Sequence, residues 1–339
     1  MNCTGGAAVK TIMKIEIAIL ILVVLVAVGM ILVSEGVLEL FHEPVIAEPG
    51  IARIPTEAPA EVTSPTEAPA AAEESTAGSP ARELTAAKYF AYDIRKGEYL
   101  QKQGEGDAKL YPASITKLLT CYTLLQHMDP DTEVTVGDAM NLVQWDSSVA
   151  DLKEGDVLTV EELMAAMLLP SGNDAAQVAA VAAGRKIGGS NLPYDEAVSV
   201  FVKEMNRQAQ LLGMENSHFA NPDGFHHANH YTTMDDLVRL CQVVLTEPAI
   251  LRYTGMPVGQ VTLEDRTLEW MNTNYLLHDD AALYLPNTIG LKTGYTEKAG
   301  NCLISAFFME DRILLIGVFG CPAFSEDRYL DTIAIYNSL

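Results

Sequence analysis

Ser114 and Lys117 stand three residues apart at the head of an apolar run, in Pro112-Ala113-Ser114-Ile115-Thr116-Lys117. Leu118, Leu119, Tyr122, Leu124 and Leu125 follow with helical spacing, so the run reads as a helix. A three-residue step puts the serine and the lysine on one helix face, within side-chain reach of each other. A serine hydroxyl becomes a useful nucleophile only when an adjacent base takes its proton. A lysine can be that base if burial or its neighbours leave it partly neutral. Ser114 also falls in the first turn, where the positive end of a helix favours developing negative charge. Alone, the pair is an ordinary surface spacing.

Two later motifs change its meaning. Leu169-Pro170-Ser171-Gly172-Asn173-Asp174 interrupts two helical runs, and Lys292-Thr293-Gly294 lies in a strand-like segment from Thr288 to Tyr295. Ser-x-x-Lys, Ser-x-Asn and Lys-Thr-Gly, in that order, form the set used by penicillin-binding proteins and class A β-lactamases. With Tyr111 to Thr120, His218-Phe219-Ala220-Asn221-Pro222-Asp223-Gly224 and Gly290 to Gly300, the chain resembles the serine D-alanyl-D-alanine carboxypeptidases. These are the low-molecular-mass penicillin-binding proteins, and the resemblance covers about Leu84 to Leu339.

The resemblance implies a role for each motif. Ser114 would attack the carbonyl of a penultimate D-alanine to give an acyl-enzyme, with Lys117 as general base. Ser171 would relay a proton to the departing D-alanine, and Asn173 would hold the substrate amide. Lys292 would add positive charge, Thr293 would hydrogen-bond the terminal carboxylate, and Gly294 would let the peptide approach the strand edge. Backbone N–H groups of Ser114 and of the strand near Tyr295 would form the oxyanion hole. Some relatives carry an arginine where this chain has Thr273, which leaves the counter-charge of the carboxylate to be found. Asn274 matches the family. Serine and lysine suffice for this chemistry, so neither metal nor organic cofactor is expected. β-Lactams would acylate Ser114 and leave slowly.

The elements that must carry these residues can be read in outline. Lys88 to Asp93 and Glu98 to Lys102 read as a hairpin around Lys96-Gly97. Thr159-Val160-Glu161-Glu162 has the form of a capping box for a helix to Leu169. Asp174 to Ala183, Tyr194 to Leu212, and a segment opening with Thr232-Thr233-Met234-Asp235 and running to about Thr246 read as further helices. Asn301 to Met309 and Ile313 to Gly320 are almost continuously apolar strands, so helices should cover both faces of their sheet. Ser325 to Leu339 reads as a closing helix. The resemblance implies an α/β (α+β) serine DD-peptidase fold like that of the β-lactamases. In it, an antiparallel sheet is flanked by helices, with a mainly helical region inserted.

Upstream, residues 1–16 form a short leader, and Ile17 to Val33 is an unbroken apolar run. Lys10 and Lys14 precede the run and Glu35, Glu39 and Glu43 follow it, which orients the leader inward and exports the rest. The run reads as an uncleaved signal anchor or as a cleaved signal sequence. Residues 34–83 are rich in Pro, Ala, Glu and Thr and poor in large apolar residues, which predicts an extended spacer. The globular domain then spans 84–339. These readings place it on the extracytoplasmic face of a bacterial membrane, acting on the D-Ala-D-Ala end of peptidoglycan stem peptides. The formal charge of −23 excludes nucleic acid as a partner.

Three side readings complete the picture. The five cysteines lack metal-ligand spacing; Cys121, Cys241, Cys302 and Cys321 read as buried thiols. His226, His227 and His230 form a cluster read as structural, not metal-binding. A β-lactamase would need a glutamate that activates deacylating water, in a Glu-x-x-Leu-Asn loop. Neither Glu204, inside an amphipathic helix, nor Glu269 fits that pattern. A catalytically silent wall-binding protein is the alternative from another class, and the intact motif residues argue against it.

Overall fold

The computed structural model describes residues 82–322 and 326–339. The leader, the apolar run, Cys3 and all but the last two residues of the expected spacer lie outside the described residues. No helix among the described residues is long and apolar enough to cross a membrane.

Antiparallel pairing builds one main sheet from β1 (Lys88–Asp93), β2 (Glu98–Gln103), β7 (Thr288–Thr296), β8 (Gly300–Met309) and β9 (Arg312–Cys321), in the order β2-β1-β9-β8-β7. Strand β7 is therefore an edge. The apolar runs of β8 and β9 are buried on both faces, as their composition requires. Cys302, Ile304, Ala306, Leu315 and Phe319 join the large helical core, whereas Leu303, Phe307, Ile316 and Val318 join a second cluster. That second cluster is closed by helix α7 (Asp327–Tyr336), which contributes Tyr329 and Ile335.

The inserted region is mainly helical: α1 (Thr116–Leu125), α2 (Val160–Leu168), α3 (Asn173–Gly188), α4 (Tyr194–Leu211), α5 (Met234–Val244) and α6 (Pro248–Thr254). Helix α1 is buried on nearly every side because α2, α3, α4, α5 and α6 surround it. Leu118, Leu119 and Leu124 are fully buried there, each contributing about 1.5–3 kcal/mol. The expected capping box is formed: Glu162 N–H donates to Thr159 Oγ1 at 3.2 Å, and Thr159 N–H donates to Glu162 Oε2 at 2.8 Å.

Other elements differ from expectation. Ser114 lies not in the α1 helix but in a 3-10 turn, Ala113–Ile115, immediately before it. Two small two-stranded sheets, β3 (Glu133–Thr135) with β4 (Val157–Thr159) and the hairpin of β5 (Val258–Thr262) with β6 (Thr267–Met271), carry too few buried residues to leave a pattern. In the strands of the β5–β6 hairpin only Val261 and Trp270 are buried. Among the described residues, contacts to the domain include those of Arg82. Arg82 pairs with Asp327 at 2.5 Å and with Asp331 at 3.1 Å. Asp331 also accepts the backbone N–H groups of Thr85 and Ala86, each at 2.8 Å, fixing the segment that leads into β1 on α7.

Candidate active site

A cleft of about 760 Å³ opens between the Ser114 turn, the Ser171 loop and the β7 edge. Ser114, Ser171, Asn173, Thr293 and Gly294 line it. Lys117 and Lys292 stand directly behind its wall, 0 % and 1 % exposed. The residues expected from sequence are thus brought together at one place.

Lys117 is the hub. Its ammonium donates to Ser114 Oγ at 2.9 Å, Asn173 Oδ1 at 2.7 Å and the Asp223 carbonyl at 2.9 Å, which uses all three protons. Burial pulls its pKa down to about 8, while the fields of Asp223 and Asp174 hold it from falling further. Near neutral pH a useful fraction of Lys117 is therefore free to accept a proton from the serine it touches. Lys292 is pushed well below the lysine range by burial, then by the charges of Lys117 and Arg328. Its Nζ reaches the Thr293 carbonyl at 3.2 Å.

Two non-glycine residues here occupy the left-handed region: Ala113 at φ 49° and Ser171 at φ 63°. Such backbone costs on the order of 1–3 kcal/mol and persists only where the surroundings enforce it. Around Ser171 the enforcement is visible. Ser148 Oγ donates to the Ser171 carbonyl at 2.7 Å, and Asn173 N–H donates to the Ser148 carbonyl at 2.8 Å. Asp174, fully buried, accepts from Ala150 and Leu152 N–H and so pins the loop forming the opposite rim. Gly294 has a reason beyond access for a peptide. A Cβ there would stand 2.9 Å from the Pro112 carbonyl and 3.1 Å from Ser114 N, so only glycine lets β7 lie against the nucleophile turn.

Sequence reasoning missed Arg328. It enters the cleft from the first turn of α7, with one guanidinium nitrogen 3.5 Å from the Gly294 carbonyl and 3.4 Å from Asn301 Oδ1. Its buried Nε has no hydrogen-bond partner among the described residues. Nearby, Thr273 Oγ1 lies 2.6 Å from Thr293 Oγ1, and Tyr329 on α7 donates to the Thr273 carbonyl at 2.5 Å. The absence of an arginine at 273 was the signal that a cation had to come from elsewhere.

Glu204 is nowhere in the cleft. It accepts from Arg207 at 2.7 and 2.8 Å and from Gln208 at 2.8 Å, with His127 Nε2 also 2.8 Å away. These partners, Arg207 first, hold its pKa down to about 2. Glu269 is exposed on β6. Neither can activate water at Ser114. Glu204→Gln should lower stability by about 1–2 kcal/mol at neutral pH, because Arg207 is half-exposed and partly screened. That corresponds to a Tm about 3–6 °C lower. The depressed carboxylate stabilises the fold above its unfolded pKa of about 4.3, and this is lost as pH falls through about 2. Thermal melts at both ends of that window check the expectation.

The four described cysteines agree with the sequence reading. Cys121, Cys241, Cys302 and Cys321 are free and buried, and burial pushes Cys302 up to about 11 and Cys321 to about 12. Such thiols are inert. No cluster of three or more metal-ligating side chains occurs among the described residues.

A D-alanyl-D-alanine carboxypeptidase profile, that of peptidase family S11, matches residues 73–322. The chain belongs to this family. It is 30 % identical over 255 residues to DacF of Bacillus subtilis, named a D-alanyl-D-alanine carboxypeptidase, covering 72 % of this chain and 59 % of that protein. The chain thus spans about three fifths of the length of that family member. The solved structure of the Streptomyces K15 DD-transpeptidase is 27 % identical, with a TM-score of 0.67, and the match covers 76 % of this chain and 97 % of that one. Penicillin-binding protein D2 of Listeria monocytogenes, solved with cefotaxime bound, is also 27 % identical, at a TM-score of 0.61 over 76 % and 98 % of the two chains. These likenesses span the sheet and the inserted helices, so the S11 family fold is the fold of this domain.

Proposed function

We propose that this chain is a serine D-alanyl-D-alanine carboxypeptidase that acts on peptidoglycan stem pentapeptides and is acylated by β-lactams. The observation that carries the reading is the contact of a fully buried Lys117 with Ser114 Oγ, in a chain of the S11 family. Lys117 takes the Ser114 proton as Oγ adds to the penultimate D-alanine carbonyl. The oxyanion is held by the backbone N–H groups of Ser114 and Tyr295. The C–N bond then breaks, Ser171 passes a proton to the departing amine, and free D-alanine leaves an ester on Ser114. Water hydrolyses that ester. Asn173 holds the substrate amide while Thr293, Lys292 and Arg328 receive the terminal carboxylate. An anionic carboxylate beside Lys292 would return it to the charged form.

Several features outside the described residues belong to the same reading. The apolar run 17–33 anchors the chain in the membrane with its leader inside, or directs its secretion. The Pro-rich stretch lets the domain reach wall substrate on the extracytoplasmic face. Trimming pentapeptides there would limit the donors available for cross-linking and so influence cell shape.

The direct experiment mixes the purified chain with diacetyl-Lys-D-Ala-D-Ala and, separately, with labelled penicillin. D-Alanine release, and a penicillin adduct on the peptide containing Ser114, are expected. Absence of both would overturn the reading. Arg328→Gln should raise the dissociation constant of penicillin by about 10- to 100-fold, the worth of a charge-assisted hydrogen bond, while changing the acylation constant little. Stopped-flow capture at varied penicillin concentration separates the two constants.

A further inference from the structure

His230 is 2 % exposed and stands in the middle of three hydrogen bonds in series. The Ala220 backbone N–H donates to its Nδ1 at 3.1 Å. That nitrogen therefore carries no proton, and in the neutral ring the proton sits on Nε2, 2.8 Å from Thr116 Oγ1. Thr116 in turn donates its hydroxyl to the Ala113 carbonyl at 2.8 Å. The series runs in one direction, from Ala220 through His230 and Thr116 to Ala113. Burial, reinforced by His218, His227 and His226, holds the ring down to about 3, so it stays neutral where Lys117 works. Phe219 packs edge-on against it at 5.4 Å between ring centres.

Each end of the series lies in a segment that holds one member of the reacting pair. Ala113 is the left-handed residue that presents Ser114. Ala220 opens the segment whose Asp223 carbonyl accepts from Lys117, and Thr120 Oγ1 donates to the Pro222 carbonyl of the same segment at 2.6 Å. The segment ends at Gly224, with φ 85°, where a Cβ would fall 1.9 Å from the Ala113 carbonyl. The backbone holding the nucleophile and the backbone holding the base thus lie in contact and are joined by one imidazole.

We propose that His230 is a positioning residue for acylation, tying the Ser114 turn to the Ala220–Gly224 segment and so fixing where Ser114 Oγ meets Lys117 Nζ. It touches neither substrate nor reacting atoms. The inference rests on Ser114 being the acylated nucleophile.

Three variants of the full chain separate positioning from packing. His230→Gln keeps an N–H donor where Nε2 stood. His230→Asn keeps an acceptor near Nδ1 but loses the donor to Thr116. Thr116→Val removes the middle hydroxyl with little change of shape and serves if the His230 variants fold poorly. Capture of labelled penicillin gives the dissociation constant and the acylation constant for each, with a melting curve alongside. His230→Asn and Thr116→Val should lower the acylation constant by about 10- to 50-fold, the scale of a sub-ångström misplacement, with affinity little altered. His230→Gln should restore most of that loss. Wild-type acylation in folded His230→Asn and Thr116→Val would overturn the proposal. So would equal losses in His230→Gln and His230→Asn that follow their melting temperatures. No adduct on Ser114 in the wild-type chain would instead overturn the nucleophile assignment on which the proposal stands.

Discussion

Ser114→Ala should yield a chain that binds penicillin reversibly and never captures it. Among the described residues the missing Oγ is the one hydroxyl that Lys117 contacts on the cleft wall, and without it no ester should form. Alanine suits a 3-10 turn, and Lys117 keeps its bonds to Asn173 and Asp223, so the surrounding geometry should survive. Reversible affinity should stay within about threefold, because the groups expected to receive the carboxylate are untouched. Peptide hydrolysis should fall to background. Denaturing gels after incubation with labelled penicillin read the covalent step, and competition with unlabelled peptide reads the reversible one. A stable adduct on the variant would place the nucleophile elsewhere, with Ser171 the nearest candidate.

Lys117→Met should lower the acylation constant by about 10³- to 10⁴-fold, the upper range for loss of a positioned base. Methionine fills similar space without a charge to bury, so the loss should appear in acylation and not in folding. The wild-type pH profile carries the same information. In the proposed mechanism Lys117 acts when neutral and its pKa is held at about 8, so acylation should fall tenfold per pH unit below that value and level off above it. In Lys117→Met that limb should vanish. A limb persisting at the same pH would mean that another group supplies the base.

How much of this was legible depended on how strictly each position is constrained. The Ser114, Ser171 and Lys292 motifs were readable because the proposed acyl transfer demands particular residue types, and a shared fold fixes their order along the chain. Strands β8 and β9 were readable because burial on both faces leaves an unbroken apolar run. Other features were set by tertiary contact alone. The positive φ of Ala113 is imposed by neighbours distant in sequence, and no residue type announces it. Arg328 lies 55 residues after Thr273 and meets its surroundings only because α7 folds back over the sheet. The β5–β6 hairpin buries too little to show a period. His230 sat among other histidines, and its meaning lay in partners the spacing could not reveal.

The main sheet divides the apolar interior in two, and the cleft draws on both halves. Ser114, Lys117 and Asn173 sit on the helical half, whereas Arg328 and the clamp on Thr273 are delivered by α7 from the other. Reactivity and grip are therefore supported by separate scaffolds. Substitutions among Phe307, Ile316 and Ile335 would change how firmly a carboxylate is held while leaving the nucleophile's pace intact. On the proposed function, such a partition would let drug affinity drift without loss of turnover, with α7 the side from which β-lactam tolerance would accumulate in small steps.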